Sequence, residues 1–310
     1  IGMPMTMLYN FSSALLRAVG DTKRPLYCLA AAGVINVVLN LVFVIGFSMS
    51  VAGVALATII SQTVSALLVT GMLVREEGAL RLDLRRLAFH AGTLKQILLI
   101  GLPAGLQSTV FSLSNVVIQS SINSFGSMVV AGNSASSNLE GFVYTAMNAF
   151  AQAAVTFTSQ NTGAGKPERV RAGIKSATIL GFVWSLVAFF LLYFGGAALV
   201  RMITDSDTFV IGTAVKYLRI NVPFYAFLCI LCFFRSTLQG LGQKIIPVIA
   251  SIIELSGKAI IVFVLVPRMG YLAVCICEPI LWILSGILVS VPMYRFLKIT
   301  HSPDSAQTCQ

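Results

Sequence analysis

Residues 132–165 read GNSASSNLEGFVYTAMNAFAQAAVTFTSQNTGAG, and this stretch decides the fold. It is mostly apolar and long enough to cross a bilayer, yet it carries an acid, Glu140, in its first half. At about 100° per residue, Asn133, Ser136, Ser137, Glu140, Tyr144, Asn148 and Gln152 fall on one helical face. Leu139, Phe142, Val143, Ala146, Phe150 and Ala153 form the opposite, lipid-like face. A helix with one apolar face and one polar, singly acidic face requires a polar neighbour or a watery cavity inside the membrane. The rest of the chain reads as helices arranged around such a cavity.

Composition agrees. The 310 residues are 57% hydrophobic and 10% charged, with a mean hydropathy of +0.89, whereas soluble domains carry about 25% charged residues. This is the composition of an integral membrane protein, and with the helical spans given below the fold class is read as all-α. A net charge of +10 would point to nucleic acid in a soluble protein. Here the basic residues lie between hydrophobic runs, which suits the positive-inside rule and anionic lipid headgroups, so no nucleic-acid partner is expected. Putting the loops at 20–24, 75–95, 161–175 and 239–246 on one side with the C-terminus gives that side 16 of the 21 Lys and Arg, Arg17 and Arg235 included. That side is assigned to the cytoplasm, and the protein to the inner membrane as a multi-pass monomer. The chain opens on Ile1 without a charged leader, so no signal peptide is read, and it is expected to start inside a longer protein.

Cysteine and histidine chemistry is not expected. Cys28, Cys229, Cys232, Cys275 and Cys277 lie in hydrophobic runs, and Cys229-x-x-Cys232 has no second pair, so these read as small buried hydrophobes. His90 and His301 fall outside the spans. No metal site, cofactor or catalytic residue is assigned, and the chain is not read as an enzyme. Gly163 and Gly165 suggest a phosphate loop, but no strand precedes them and no GKS or GKT follows.

About nine transmembrane helices are expected, at 2–19, 25–47, 52–74, 96–124, 132–165, 172–200, 209–238, 247–266 and 271–295. Most carry a polar stripe: Asn36 and Asn40 on one, Thr58, Ser61, Gln62 and Ser65 on the next, then Ser108, Ser112, Asn115, Gln119 and Asn123. Gly101-x-x-x-Gly105 offers a close-packing spot. Residues 75–95 form a charged cytoplasmic linker, read as an amphipathic surface helix. It separates residues 1–74 from a six-helix unit at 96–298, and 299–310 form a cytoplasmic tail. Glu254 and Lys258 are spaced to pair within one helix, while Glu278, beside Pro279, reads as interfacial.

The chain also repeats itself. Gly20-Asp21-Thr22-Lys23-Arg24-Pro25 precedes one span as Gly242-Gln243-Lys244-Ile245-Ile246-Pro247 precedes another. Met49-Ser50-Val51-Ala52 and Met269-Gly270-Tyr271-Leu272 open the spans that follow. Parallel repeats around a central cavity are a transporter design, with substrate between the halves.

Several motifs carry a family resemblance. Leu16 to Pro25, Val51 to Thr58, Ile100-Gly101-Leu102-Pro103-Ala104-Gly105-Leu106-Gln107, Ser159 to Ala164, and Tyr217-Leu218-Arg219-Ile220 with Pro223 resemble, in order, the multidrug and toxic compound extrusion (MATE) family. The resemblance implies a two-lobed bundle of twelve helices and a secondary antiporter that exports organic cations against H⁺ or Na⁺. On that pattern the chain holds the last three helices of the N-terminal lobe and all six of the C-terminal lobe, without the first three. Some sodium-coupled members place an acid in the first C-lobe helix, near Phe111, where this chain has only Ser, Asn and Gln. Glu140 and Glu254 match segments where the family commonly has acids.

Coupling requires a group whose charge changes when an ion or proton binds. A carboxylate in a low-dielectric cavity can be neutralised by H⁺, Na⁺ or a cationic drug, and competition at it gives antiport. Glu140 and Glu254 are therefore the expected coupling residues. Asn115, Gln119, Tyr144, Asn148, Gln152, Tyr225 and Lys258 are expected to line the substrate cavity, with small organic cations and the bilayer as partners. Tyr144, Phe224, Tyr225 and Trp282 offer aromatic faces to a cation. The competing readings are a flippase for lipid-linked saccharides, which would need a basic cavity, and a non-transporting membrane assembly subunit, which would not need polar stripes on successive helices.

Overall fold

The computed structural model describes residues 2–77, 81–83, 88, 90–204 and 207–299, and the described elements are all helical. They are α1 (Met3–Ala18), α2 (Lys23–Leu41) and α3 (Val51–Arg75), then α4 (Ala91–Asn123), α5 (Ser127–Gly163) and α6 (Pro167–Ile203). After these come α7 (Thr208–Asn221), α8 (Tyr225–Gly240), α9 (Ile245–Ile260), α10 (Val266–Met269) and α11 (Tyr271–Ile299). The chain forms two compact units, Ile1–Ala91 and Gly92–Gln310.

Among the described residues, seven helical stretches are long and apolar enough to cross a membrane: 23–46, 51–75, 91–123, 167–203, 208–240, 245–269 and 271–298. The protein is a multi-pass membrane protein. Of the nine expected spans, α1 and α5 are not in this set: α1 has only 16 residues, and α5 is diluted by the polar face described above. The expected surface helix in the linker is not seen at the described positions 76–77, 81–83, 88 and 90, which are not helical. The other linker residues before Ala91 lie outside the described set. Instead the Leu82 N–H donates to the Leu73 carbonyl at 3.0 Å, and Arg24 pairs with Glu76, so the linker's start folds back on α3 and the turn before α2. The tail beyond Ile299 lies outside the described residues.

In the first unit, α1 and α2 pack on α3 around Tyr9, Leu16, Cys28, Ala66, Val69 and Leu73. The polar stripes of α2 and α3 meet in a chain: Asn40 Nδ2 donates to Asn36 Oδ1 at 3.0 Å, and Asn36 Nδ2 to Ser61 Oγ at 3.2 Å.

The repeat is a repeat of structure. Gly20 has φ +93° and Gly242 φ +80°, a left-handed conformation that costs glycine little and other residues more. Each ends a helix with the same bonds: Asp21 N–H to the Leu16 carbonyl at 3.0 Å, and Gln243 N–H to the Leu238 carbonyl at 2.9 Å. The helix that follows has Pro25 or Pro247 in its first turn and runs into a wide π-helical turn, Val42–Gly46 after α2 and Ile261–Leu265 after α9.

In the second unit, α5 is the central helix, packed by α6, α7 and α8, while α11 packs on α8 and α9. Along α5, Ala135, Leu139, Val143, Met147 and Ala151 recur every four residues and are buried in the main core with Leu218, Tyr225, Phe233 and Met293. Leu139 and Val143 thus face the bundle, not lipid as their helical face suggested; Phe142, 75% exposed, is the outward residue. α6 approaches α8 closely at Gly181, where an added Cβ would lie 1.9 Å from the Phe233 ring. A second core of Ile118 and Ile122 from α4 with Ile261, Ala273, Val274 and Leu281 seats α4 against the far end of the unit. Among the described residues, nothing lies within reach of either glycine at the expected close-packing spot, Gly101 and Gly105.

Candidate functional site

α4, α5, α7, α9 and α11 line a half-open cavity of about 330 Å³ within the second unit. Its wall includes Asn115 and Gln119 from α4, Glu140 and Tyr144 from α5, Tyr217 from α7, Lys258 from α9, and Glu278 and Trp282 from α11.

Glu140 is buried in the middle of α5, and Tyr225 at the start of α8 donates its hydroxyl to Glu140 Oε1 at 3.1 Å. Tyr225 is fixed in turn by the Trp282 ring, 5.9 Å away between centroids. The α7–α8 junction that aims Tyr225 is a short 3₁₀ turn, Val222–Phe224, where Pro223 interrupts the helix.

The second group of charges centres on Lys258, whose side chain is 1% exposed. Its Nζ lies 2.8 Å from Glu278, 2.8 Å from Asn115 Oδ1 and 3.5 Å from Glu254, with the Phe111 ring centroid at 5.7 Å. Glu254 also lies 3.6 Å from Arg235. Arg235 lies within α8, beside a buried acid on α9. A buried charge is costly unless it is paired, and Lys258 lies beside two carboxyl groups.

Of the residues expected at the cavity, Glu140, Asn115, Gln119, Tyr144 and Lys258 line it. Tyr225 stands behind the wall, holding Glu140, and Glu254 stands behind Lys258. Asn148 and Gln152 are exposed and do not line this cavity. Each four-residue step along a helix turns the face by about 40°, so Gln152 points about 120° away from Glu140. Phe224 is not part of the wall; Trp282 is.

Glu278 is not interfacial. α11 begins at Tyr271, seven positions earlier, and Pro279 lies inside it. Proline leaves the carbonyl four residues back without its donor, here that of Cys275, and Asn221 Nδ2 supplies a bond to it at 3.2 Å. Glu278, Arg235 and Tyr217 are the site residues that sequence reasoning passed over. The signal for Glu278 was the need of a buried Lys258 for more than one acceptor.

The five cysteines among the described residues are free, and four of them are buried. No His, Cys, Asp and Glu cluster suited to a metal occurs among the described residues.

With this geometry in view, comparison with known proteins is decisive. The MatE family model matches residues 103–265, more than half of the chain. The chain belongs to the MatE family. It is 31% identical over 229 residues to the probable multidrug resistance protein YpnP of Bacillus subtilis, covering 74% of this chain and 51% of that one. It is 27% identical over 260 residues to the probable multidrug resistance protein NorM of Thermotoga maritima, covering 82% of this chain and 55% of that one. The chain spans about half the length of the curated relatives it matches. The solved outward-facing structure of a multidrug resistance MATE family transporter of the MOP superfamily superposes with a TM-score of 0.83 at 19% identity, covering 95% of this chain and 67% of that one. That likeness establishes the two-lobe helical MATE fold.

Proposed function

We propose that this MatE chain is part of a secondary antiporter that exports small organic cations across the inner membrane as a monomer, coupled to H⁺ or Na⁺, with no resident cofactor. The observation that carries the reading is Glu140. Its carboxyl is buried on the wall of a cavity and is held by a tyrosine hydroxyl, and no ion pair among the described residues includes it. A buried carboxylate without a charged partner is costly unless an incoming cation neutralises it. A proton, a sodium ion or a cationic substrate can each do so, and they exclude one another there. Tyr144, Tyr217 and Trp282 on the same wall offer aromatic surface to an organic cation.

The flippase alternative fares less well on charge. An anionic pyrophosphate requires a net basic cavity, whereas Lys258 is committed to carboxylates and Arg235 does not line the cavity.

The test is efflux of a fluorescent organic cation by the full-length protein in everted vesicles, under a proton gradient or a sodium gradient, with Glu140→Gln alongside. The expected result is gradient-driven efflux that Glu140→Gln abolishes without loss of folded protein. Efflux that persists in Glu140→Gln removes that residue from the mechanism. Absence of efflux under both gradients in the wild type overturns the reading and favours the flippase.

A further inference from the structure

The cavity and its immediate support hold three carboxyl groups, Glu140, Glu254 and Glu278, against two basic side chains, Lys258 and Arg235. The other basic residues nearest in sequence on α7, Lys216 and Arg219, are exposed. Lys258 has three N–H donors and three oxygen neighbours: Glu278 at 2.8 Å, Asn115 at 2.8 Å and Glu254 at 3.5 Å. Its ammonium therefore occupies the position a free cation would take among those oxygens. Glu140 is the carboxyl left over.

We propose that Lys258 is a tethered counter-cation that permanently neutralises Glu278 on the cavity wall and Glu254 behind it, and so restricts the cargo to a single positive charge, received at Glu140. The proposal rests on the organic-cation reading above and goes beyond it by setting the charge of the cargo. A lysine suits this role because it is a compact point charge on a flexible stem, which can sit among oxygens as a small ion does. A dication would have to place its second charge near the Lys258 ammonium, where like charges repel. Without the ammonium, Glu278 becomes a second anionic group on the cavity wall, with Glu254 behind it.

The experiment is equilibrium dialysis of the purified full-length protein against tetraphenylphosphonium, with one charge, and methyl viologen, with two. The variants are Lys258→Met, Lys258→Arg and Lys258→Met with Glu278→Gln. Wild type is expected to favour the monocation. Lys258→Met is expected to bind methyl viologen at least about tenfold more tightly than wild type, the smallest gain expected from replacing repulsion with attraction. Lys258→Arg keeps the wild-type preference, and adding Glu278→Gln to Lys258→Met cancels the gain. An unchanged ratio of the two affinities in Lys258→Met overturns the proposal while leaving the organic-cation reading standing. Wild type that binds neither probe overturns both. Should Lys258→Met be too unstable to dialyse, Lys258→Gln, which retains a donor for Glu278, is read by thermal melting. A larger stabilisation by methyl viologen than by tetraphenylphosphonium supports the proposal, and an equal or smaller one overturns it.

Discussion

Asn221 Nδ2 donates to the Cys275 carbonyl at 3.2 Å, across from α7 to α11, and that carbonyl is the one Pro279 leaves without a helical donor. The same amide also bonds the Tyr217 carbonyl at 2.9 Å. One buried side chain thus closes α7 just before its break and allows α11 to pass through a proline with Glu278 beside it. Replacing Asn221 with Leu should destabilise the protein by about 1–3 kcal/mol, the cost of leaving a buried carbonyl unsatisfied. Thermal melting of the full-length protein in detergent checks this. A variant as stable as wild type would show that the carbonyl needs no such donor.

The Lys258–Glu278 contact makes a different prediction. Breaking a buried pair by removing one partner costs about 3–5 kcal/mol, because the other charge is left behind. Glu278→Gln and Lys258→Met should each destabilise strongly, and the double variant should cost less than the sum of the two. A double-mutant cycle read by denaturation gives the coupling directly. Additive losses would mean the two groups do not act as a pair.

Gly181 tests the packing of α6 on α8. An added Cβ would meet the Phe233 ring at 1.9 Å and Cys229 Sγ at 2.4 Å, and both neighbours are buried. Gly181→Ala should cost about 1–3 kcal/mol, as overpacking of a well-filled core does. Adding Phe233→Leu should recover part of that loss in the same melting assay, since it withdraws the ring that the new methyl strikes.

These contacts also show where the sequence was readable. The long mixed helix α5 announced a cavity because a buried Glu140 cannot sit against lipid, and Glu254 with Lys258 could be paired from their spacing alone. The side that α5 turns to its neighbours could not be read from hydrophobicity. Lipid and protein core are equally apolar, so Leu139 and Val143 looked the same whether they faced one or the other. Glu278 was misplaced because Pro279 suggested a helix end, and only the fold brings Asn221 within reach of the carbonyl that the proline frees. The pairing of Lys258 with Glu278 joins residues twenty apart in sequence on two different helices, a separation over which no periodicity operates.

The repeat supplies the last prediction. Counting from Pro25 and Pro247, Asn36 and Lys258 occupy the same place, eleven residues on, in helices that each lead into a π-helical turn. In the first unit that place holds a neutral amide bonded to Ser61 at 3.2 Å; in the second it holds an ammonium among carboxylates. Hydrogen bonds between helices in a membrane contribute about 0.6 kcal/mol on average and under about 2 kcal/mol at most. Asn36→Leu should therefore lower stability by no more than about 1 kcal/mol, well below Lys258→Met in the same denaturation assay. Equal losses at the two positions would mean that charge adds nothing to the second, and that the ionic network around Lys258 is energetically no different from the amide chain around Asn36.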